Sequence, residues 1–92
     1  MFEREKKFTI TIYSDPGHAW GKVRMEVLKN LNIDKAISAY SYKRGEYAYL
    51  EEDVDLGILC QALYDNNTRV VFKEKVSNNP SRVRTYDRYV AA

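Results

Sequence analysis

The segment SAYSYKRGEYAYL, residues 38–50 of this 92-residue chain, alternates along two short stretches that meet at residues 43–45. Successive side chains of a strand point to opposite faces of a sheet. The tyrosines that share one face are Tyr40, Tyr42, Tyr47 and Tyr49. The small apolar side chains of the other face are Ala39, Ala48 and Leu50. The segment therefore predicts a β-hairpin with tyrosines paired across its strands and a second face covered by helices.

The flanking segments predict two helices and two more strands. Strict alternation predicts a strand over residues 8–13, and a β-branched run predicts another over 70–76. Apolar residues at three- and four-residue steps predict helices over about 20–31 and about 53–64. The resulting order, strand-helix-strand-strand-helix-strand, is typical of ferredoxin-like domains. We therefore predict an α+β fold: a ferredoxin-like βαββαβ unit with two helices on one face of a four-stranded antiparallel sheet of order 4-1-3-2.

Length and composition indicate a single domain over residues 1–92, with an N-terminal extension at about 1–7 and a C-terminal arm or extra strand at about 77–92. Fifteen Lys and Arg against thirteen Asp and Glu give a net charge of +2, too small for bulk charge to indicate a polyanionic partner. The single cysteine, Cys60, fits a reducing compartment, and no apolar run is long enough to span a membrane. We expect a cytoplasmic protein that does not associate with membranes.

Four short motifs stand out: SDPGHAW at 14–20, YSYKRGEYAYLEED at 40–53, FKE at 72–74 and SRVRTY at 81–86. Their combination resembles small uncharacterised proteins of tailed bacteriophages, and the resemblance covers nearly the whole chain. It implies no particular activity, fold or site. What it implies is a context, namely a small phage product that acts in the host cytoplasm by binding a host component without catalysis.

The uncovered face of the predicted sheet should form an aromatic platform edged by cations, which the arm extends with arginines and tyrosines. The candidate binding residues are Tyr13, Tyr40, Tyr42, Arg44, Tyr47, Tyr49, Lys73, Arg82, Arg84, Tyr86 and Arg88. RNA-recognition domains stack bases on such a sheet face, and residues 44–50 resemble their basic-Gly-aromatic-Ala-aromatic run with one extra residue, Glu46. The alternative interpretation is structural: tyrosine is favoured on half-buried strands, and the arm or a second subunit covers the face.

Near-neutral charge combined with an excess of Tyr and Arg is typical of protein interfaces, where these residues act as anchors. We therefore predict a non-enzymatic protein that binds a host protein, for example to inhibit a host or defence factor. The alternative is a module that binds single-stranded RNA or DNA through the tyrosine platform. A homodimer that forms through the sheet face is also left open.

The single histidine, His18, lies three residues after Asp15 in a turn, without a nucleophile elbow, a second histidine or a Gly-rich phosphate loop. We predict that this loop is structural, that Asp15 accepts backbone hydrogen bonds within it, and that the protein is not an enzyme. The acidic cluster at residues 51–55 is explained by helix capping, so no metal site and no cofactor are predicted.

Overall fold

The computed structural model describes residues 6–91, which form a six-stranded mixed sheet with two helices packed on one face. The strands are β1 (Lys6–Ser14), β2 (Ala19–Arg24), β3 (Tyr42–Arg44), β4 (Tyr47–Glu51), β5 (Thr68–Val76) and β6 (Asp87–Arg88). The helices are α1 (Met25–Asn30) and α2 (Asp55–Asp65), and two short 3-10 turns lie at Asp34–Ala36 and Arg82–Thr85. The strand order is β5-β1-β2-β4-β3-β6.

The α+β class is confirmed, but the four-stranded antiparallel ferredoxin-like sheet is wrong. The four predicted strands keep their relative order, while β2 is inserted between β1 and β4 and β6 is added beside β3. Because β2 pairs antiparallel with both β1 and β4, β4 runs in the same direction as β1. The chain then crosses through α2 to β5, which pairs with β1 in parallel instead of antiparallel.

The strand β2 occupies the first half of the segment predicted as a helix over residues 20–31, and only Met25–Asn30 is helical. The segment AWGKVR satisfies both periods, because Trp20 and Val23 are also three residues apart. Pairing decides between them: β2 forms ladders with β1 on one side and β4 on the other, and these tertiary hydrogen bonds override the local pattern.

Gly21 lets α2 approach the centre of the sheet. A Cβ atom at this position would lie 2.6 Å from Leu56 Cδ1 and 3.1 Å from Ile10 Cγ2, both in buried side chains. Because Gly21 has no side chain, α2 can pack this close to the sheet at β2.

We expect Gly21→Ala to lower the free energy of unfolding by roughly 1–3 kcal/mol, because the added methyl group overpacks this contact. Urea denaturation followed by circular dichroism measures the change. The matched control is Gly57→Ala on the exposed surface of α2, where a Cβ meets nothing within 4 Å. That change should stabilise the helix by roughly 0.5–1 kcal/mol. Equal stability of Gly21→Ala and the unaltered protein would contradict this account.

The predicted tyrosine hairpin is present, with a shorter first strand than expected. Tyr42 pairs with Tyr49 across the strands, and the turn is made by Gly45 at φ +60° and Glu46. Tyr40 was predicted on the same strand face as Tyr42, but it lies in a turn before β3 with 76% of its surface exposed. The segment cannot extend there because Ser38 and Ser41 both donate hydrogen bonds to Asp55 at the start of α2.

One residue of the acidic cluster, Glu51, caps α2 as predicted, whereas the Asp55 carboxylate accepts hydrogen bonds from Ser38 and Ser41 instead. The carboxylate of Glu51 accepts hydrogen bonds from the backbone N–H groups of Asp53 (2.8 Å), Val54 (2.8 Å) and Asp55 (3.0 Å). Burial alone would raise the pKa of Glu51, but these three donors hold that pKa below its usual value. The carboxylate therefore satisfies amides that the first turn of the helix leaves unpaired.

Two expectations concern the ends of the chain and membranes. Residues 1–5 of the predicted N-terminal extension lie outside the described residues, whereas Lys6 and Lys7 belong to β1. Within residues 6–91, no helix has the length and apolar character needed to cross a bilayer.

Candidate functional site

The sheet face opposite the helices, called here the aromatic face, carries a continuous group of rings. Cross-strand registry aligns Tyr13 with Trp20, and Tyr49 with Tyr42. Tyr47 lies next to them on β4, and Tyr86 joins from the arm. Neighbouring rings are in contact: the centroids of Tyr13 and Tyr49 are 6.1 Å apart, and those of Trp20 and Tyr42 are also 6.1 Å apart. The predicted platform therefore exists, with a tryptophan at its centre.

The same face collects most of the cations of the sheet. Side chains alternate between the two faces along each strand, so the strand registers show which Lys and Arg residues share the face of Tyr13, Trp20 and Tyr49. These strand residues are Lys7, Lys22, Arg24, Arg44, Arg69, Lys73, Lys75 and Arg88. Among the strand residues that the structure describes, Glu51 is the one carboxylate on this face, and it caps α2. Glu74 and Asp87 lie on the opposite face, so charge is segregated across the sheet.

Several of these cations lie over aromatic rings. Lys22 Nζ is 4.2 Å from the Tyr47 ring centroid, and the guanidinium carbon of Arg88 is 5.0 Å from that of Tyr42. Arg44 lies over Tyr86 at 5.2 Å, and Lys75 over Tyr13 at 5.8 Å. A ring orients a cation without cancelling its charge, so these side chains still attract anions.

The loop after β1 holds the arm through Asp15, whose side chain has no exposed surface. Its Oδ1 accepts from the backbone N–H groups of Gly17 and His18, each at 3.0 Å, which confirms the predicted role within the turn. Its Oδ2 accepts from Ser81 N (2.7 Å), and both oxygens accept from Arg84, at 2.7 Å from Nε and 2.9 Å from Nη2. The Arg84 guanidinium, followed by the Ser81 amide, holds the pKa of Asp15 far below its usual range.

This contact places the arm on part of the aromatic face. Val83 packs against Trp20 and Tyr49, and only 2% of its surface is exposed. The ring centroids of Tyr86 and Tyr49 are 5.0 Å apart. Burial, followed by the neighbouring Tyr86 and Tyr13, raises the pKa of Tyr49 to about 12. The structural interpretation, in which the arm covers the platform, therefore applies to the centre of the face. Tyr47 and the cations around it remain at least partly accessible.

A cleft of about 450 Å³ opens where the loop, the arm and the start of α2 meet. Its lining includes two residues of the aromatic face, the half-buried Tyr42 and Trp20, which is 3% exposed and has the Arg84 guanidinium 5.2 Å over its ring. The His18 ring lies 6.0 Å from the Trp20 ring. The remaining lining residues are Tyr40, Glu51, Asp53, Val54, Arg84 and Arg88.

The structure brings most of the predicted binding residues together. Those on or against the aromatic face are Tyr13, Tyr42, Arg44, Tyr47, Tyr49, Lys73, Arg84, Tyr86 and Arg88. Tyr40 lies instead on the rim of the cleft, and Arg82 is exposed on the arm. Sequence reasoning missed Trp20, Lys22 and Arg24, which it assigned to a helix. The signal that could have identified them is the alternation of small or apolar residues with large or cationic ones in AWGKVR.

Within the part of the chain that the structure describes, no group of three or more His, Cys, Asp or Glu side chains could hold a metal ion. Comparison with protein-family models, with curated proteins and with solved structures gave no match. The resemblance to phage proteins therefore stays a prediction.

Proposed function

We propose that this protein is a non-enzymatic binding protein whose aromatic face holds single-stranded nucleic acid. The observation that carries the proposal is the segregation of charge: cations dominate this face among the described strand residues, and they are interleaved with rings. Proteins that bind single strands combine a positive surface that follows the phosphates with aromatic side chains on which bases stack.

The distribution of accessible groups supports the same partner. Lys73 and Lys75 on β5 and Arg44 on β3 are exposed, so cations flank the covered centre on both sides. Arg24 on β2 is also exposed, but its guanidinium is paired with the Glu46 carboxylate at 2.9 Å. The half-buried ring of Tyr47 lies between the flanking cations, with Lys22 and Arg24 over it at 4.2 and 5.2 Å. A strand that crosses the sheet here would place phosphates near the cations and a base near Tyr47.

A host protein was the first choice from the sequence because the total charge is near neutral. The aromatic face itself is not neutral, since most of the carboxylates that balance the chain lie elsewhere. We therefore propose single-stranded nucleic acid, a polyanion, as the partner ahead of a host protein. If the experiment below shows no binding of nucleic acid, the remaining alternative is a host protein or a second copy of the chain.

The test is fluorescence anisotropy with labelled mixed-sequence single-stranded RNA and DNA at several salt concentrations. We expect affinity to fall with salt, by a log-log slope of roughly 0.7 for each phosphate contacted. The variant Lys73→Glu/Lys75→Glu should bind roughly tenfold more weakly or worse at low salt and show a smaller slope, because two phosphate contacts are removed.

The matched control is Lys29→Glu/Lys35→Glu, which makes the same charge change at exposed positions of α1 and the adjacent 3-10 turn. If both double variants lose the same affinity, the attraction depends on net charge and the aromatic face has no special role. Absence of binding to either nucleic acid at low salt would overturn the proposal and leave a protein partner.

A further inference from the structure

The cleft at the edge of the aromatic face has the size and lining of a site for one small ligand. Its volume of about 450 Å³ lies within the usual range for ligand pockets, roughly 300–1,000 Å³. Two of its rim residues, Tyr40 and Val54, expose 76% and 60% of their surface, so large apolar groups face solvent at its mouth. A flat ring is the kind of ligand group that such a rim would cover.

The charged groups of the cleft differ in how far they are already engaged. Arg84 is held by both oxygens of Asp15, and Glu51 is occupied by three backbone amides. Arg88 donates one hydrogen bond, to the Ala39 carbonyl at 3.2 Å, and keeps its other donors for an anion. Asp53 donates its backbone N–H to the Glu51 carboxylate, and no partner of its own carboxylate is found among residues 6–91.

The cleft therefore offers the rings of the exposed Tyr40 and the half-buried Tyr42, a cation and a carboxylate acceptor. A ligand that uses all three carries a flat ring, an anionic group and N–H donors on one edge of the ring. Among nucleotides, guanine presents two adjacent donors, N1–H and the 2-amino group, which a carboxylate accepts as a bidentate pair. Uracil presents a single N–H between two carbonyl oxygens, and these oxygens repel a carboxylate that approaches the N–H.

From this lining we infer that the cleft binds one guanine nucleotide, with the base edge on Asp53 and the phosphate on Arg88. The inference rests on the proposed function, because it makes the cleft the position at which a bound strand is read for sequence. The ligand chemistry is shared by a free guanine nucleotide and by a guanosine within a strand, and the experiment separates these two sources.

Trp20 is the single tryptophan of the chain and one of the residues that line the cleft, so its fluorescence reports on this site. The full chain is titrated with GMP and with UMP, with excitation at the red edge of the indole band, where nucleotides absorb weakly, and the emission is corrected for this absorption. We expect a saturable change in emission with GMP at a concentration about tenfold or more below that needed with UMP. Asp53→Asn should remove most of this preference, whereas Glu52→Gln, at an exposed neighbouring position outside the cleft, should keep it.

Anisotropy with G-containing and G-free oligonucleotides completes the design. If the protein prefers the G-containing strand and Asp53→Asn loses this preference, the cleft recognises a guanosine within a bound strand. Equal responses to GMP and UMP, with oligonucleotide binding intact, would overturn the cleft inference and leave the proposed function standing. Saturable GMP binding without oligonucleotide binding would support the cleft as a site for the free nucleotide and overturn the proposed function.

Discussion

Replacing Asp55 with alanine is expected to lower the free energy of unfolding by roughly 3–5 kcal/mol, a large part of the ~5–15 kcal/mol that holds a typical domain folded. Asp55 is fully buried, and its Oδ2 accepts from Ser38 N (3.0 Å), Ser38 Oγ (2.7 Å) and Ser41 Oγ (2.6 Å). Its Oδ1 is buried with no hydrogen-bond partner among the described residues, so the network depends on Oδ2. Alanine would leave the buried Ser41 hydroxyl and the part-buried Ser38 amide and hydroxyl without this acceptor.

Urea denaturation measures this loss, and Asp53→Ala is the control, because Asp53 is two residues away, acidic and exposed. The midpoint for Asp55→Ala should fall far below that of the control. The effect should extend to the hairpin, since Ser41 Oγ also accepts from Glu51 N at 3.0 Å. A change of less than about 1 kcal/mol would mean that water or a relaxed loop satisfies these donors, and the network would then have little part in stability.

Asp15→Asn is expected to release the C-terminal arm from the aromatic face. Arg84 would lose its charged partner, and Ser81 N–H its acceptor, while Val83 and Tyr86 would keep only their contacts with the rings. Amide hydrogen exchange at Ser81 and Val83 should become on the order of tenfold faster or more. Exchange in α2 should change little, and comparable acceleration in both regions would show that the variant destabilises the whole fold instead.

The contribution of Asp15 should also depend on pH in a defined direction. Its pKa in the folded protein lies below the ordinary value of 3.8, because the ionised form binds Arg84 and the backbone amides. The stabilisation is therefore fully present above about pH 4 and is lost as the pH falls below the ordinary pKa towards that of the folded protein. The difference in stability between the unaltered protein and Asp15→Asn should shrink on acidification below pH 4. A difference that is constant or grows would contradict this assignment.

The fold was predictable where one period dominates a segment. Strict alternation identified β1, and the hairpin tyrosines and the apolar stripe of α2 were also clear. The strand β2 was not predictable in this way, because Trp20 and Val23 fit a helical step as well as a strand. Its identity comes from hydrogen bonds to β1 and β4, partners that are far apart in sequence and cannot be read from a local window.

The candidate site was predictable in its rings and less so in its charge. Alternation placed Tyr13 and Lys73 on the same face, and the β1–β5 register agrees with this placement. A net charge of +2 nevertheless indicated a neutral protein surface, because a total does not record on which side of a sheet each charge lies. The contact between Asp15 and Arg84 had no local signal, since these residues are 69 positions apart.

That separation affects the order in which the molecule can be assembled. The arm reaches Asp15 from residues 66 and 69 positions later, and contacts so distant in sequence form slowly because a long loop must close first. A nascent chain that has emerged only as far as Val76 already contains β1 to β5 and both helices. In that intermediate, Trp20 and Tyr49 lack the cover that Val83 gives them in the complete chain. Completion of the aromatic face is thus a late event in biosynthesis, and a newly made chain passes through a stage in which the centre of this face is uncovered.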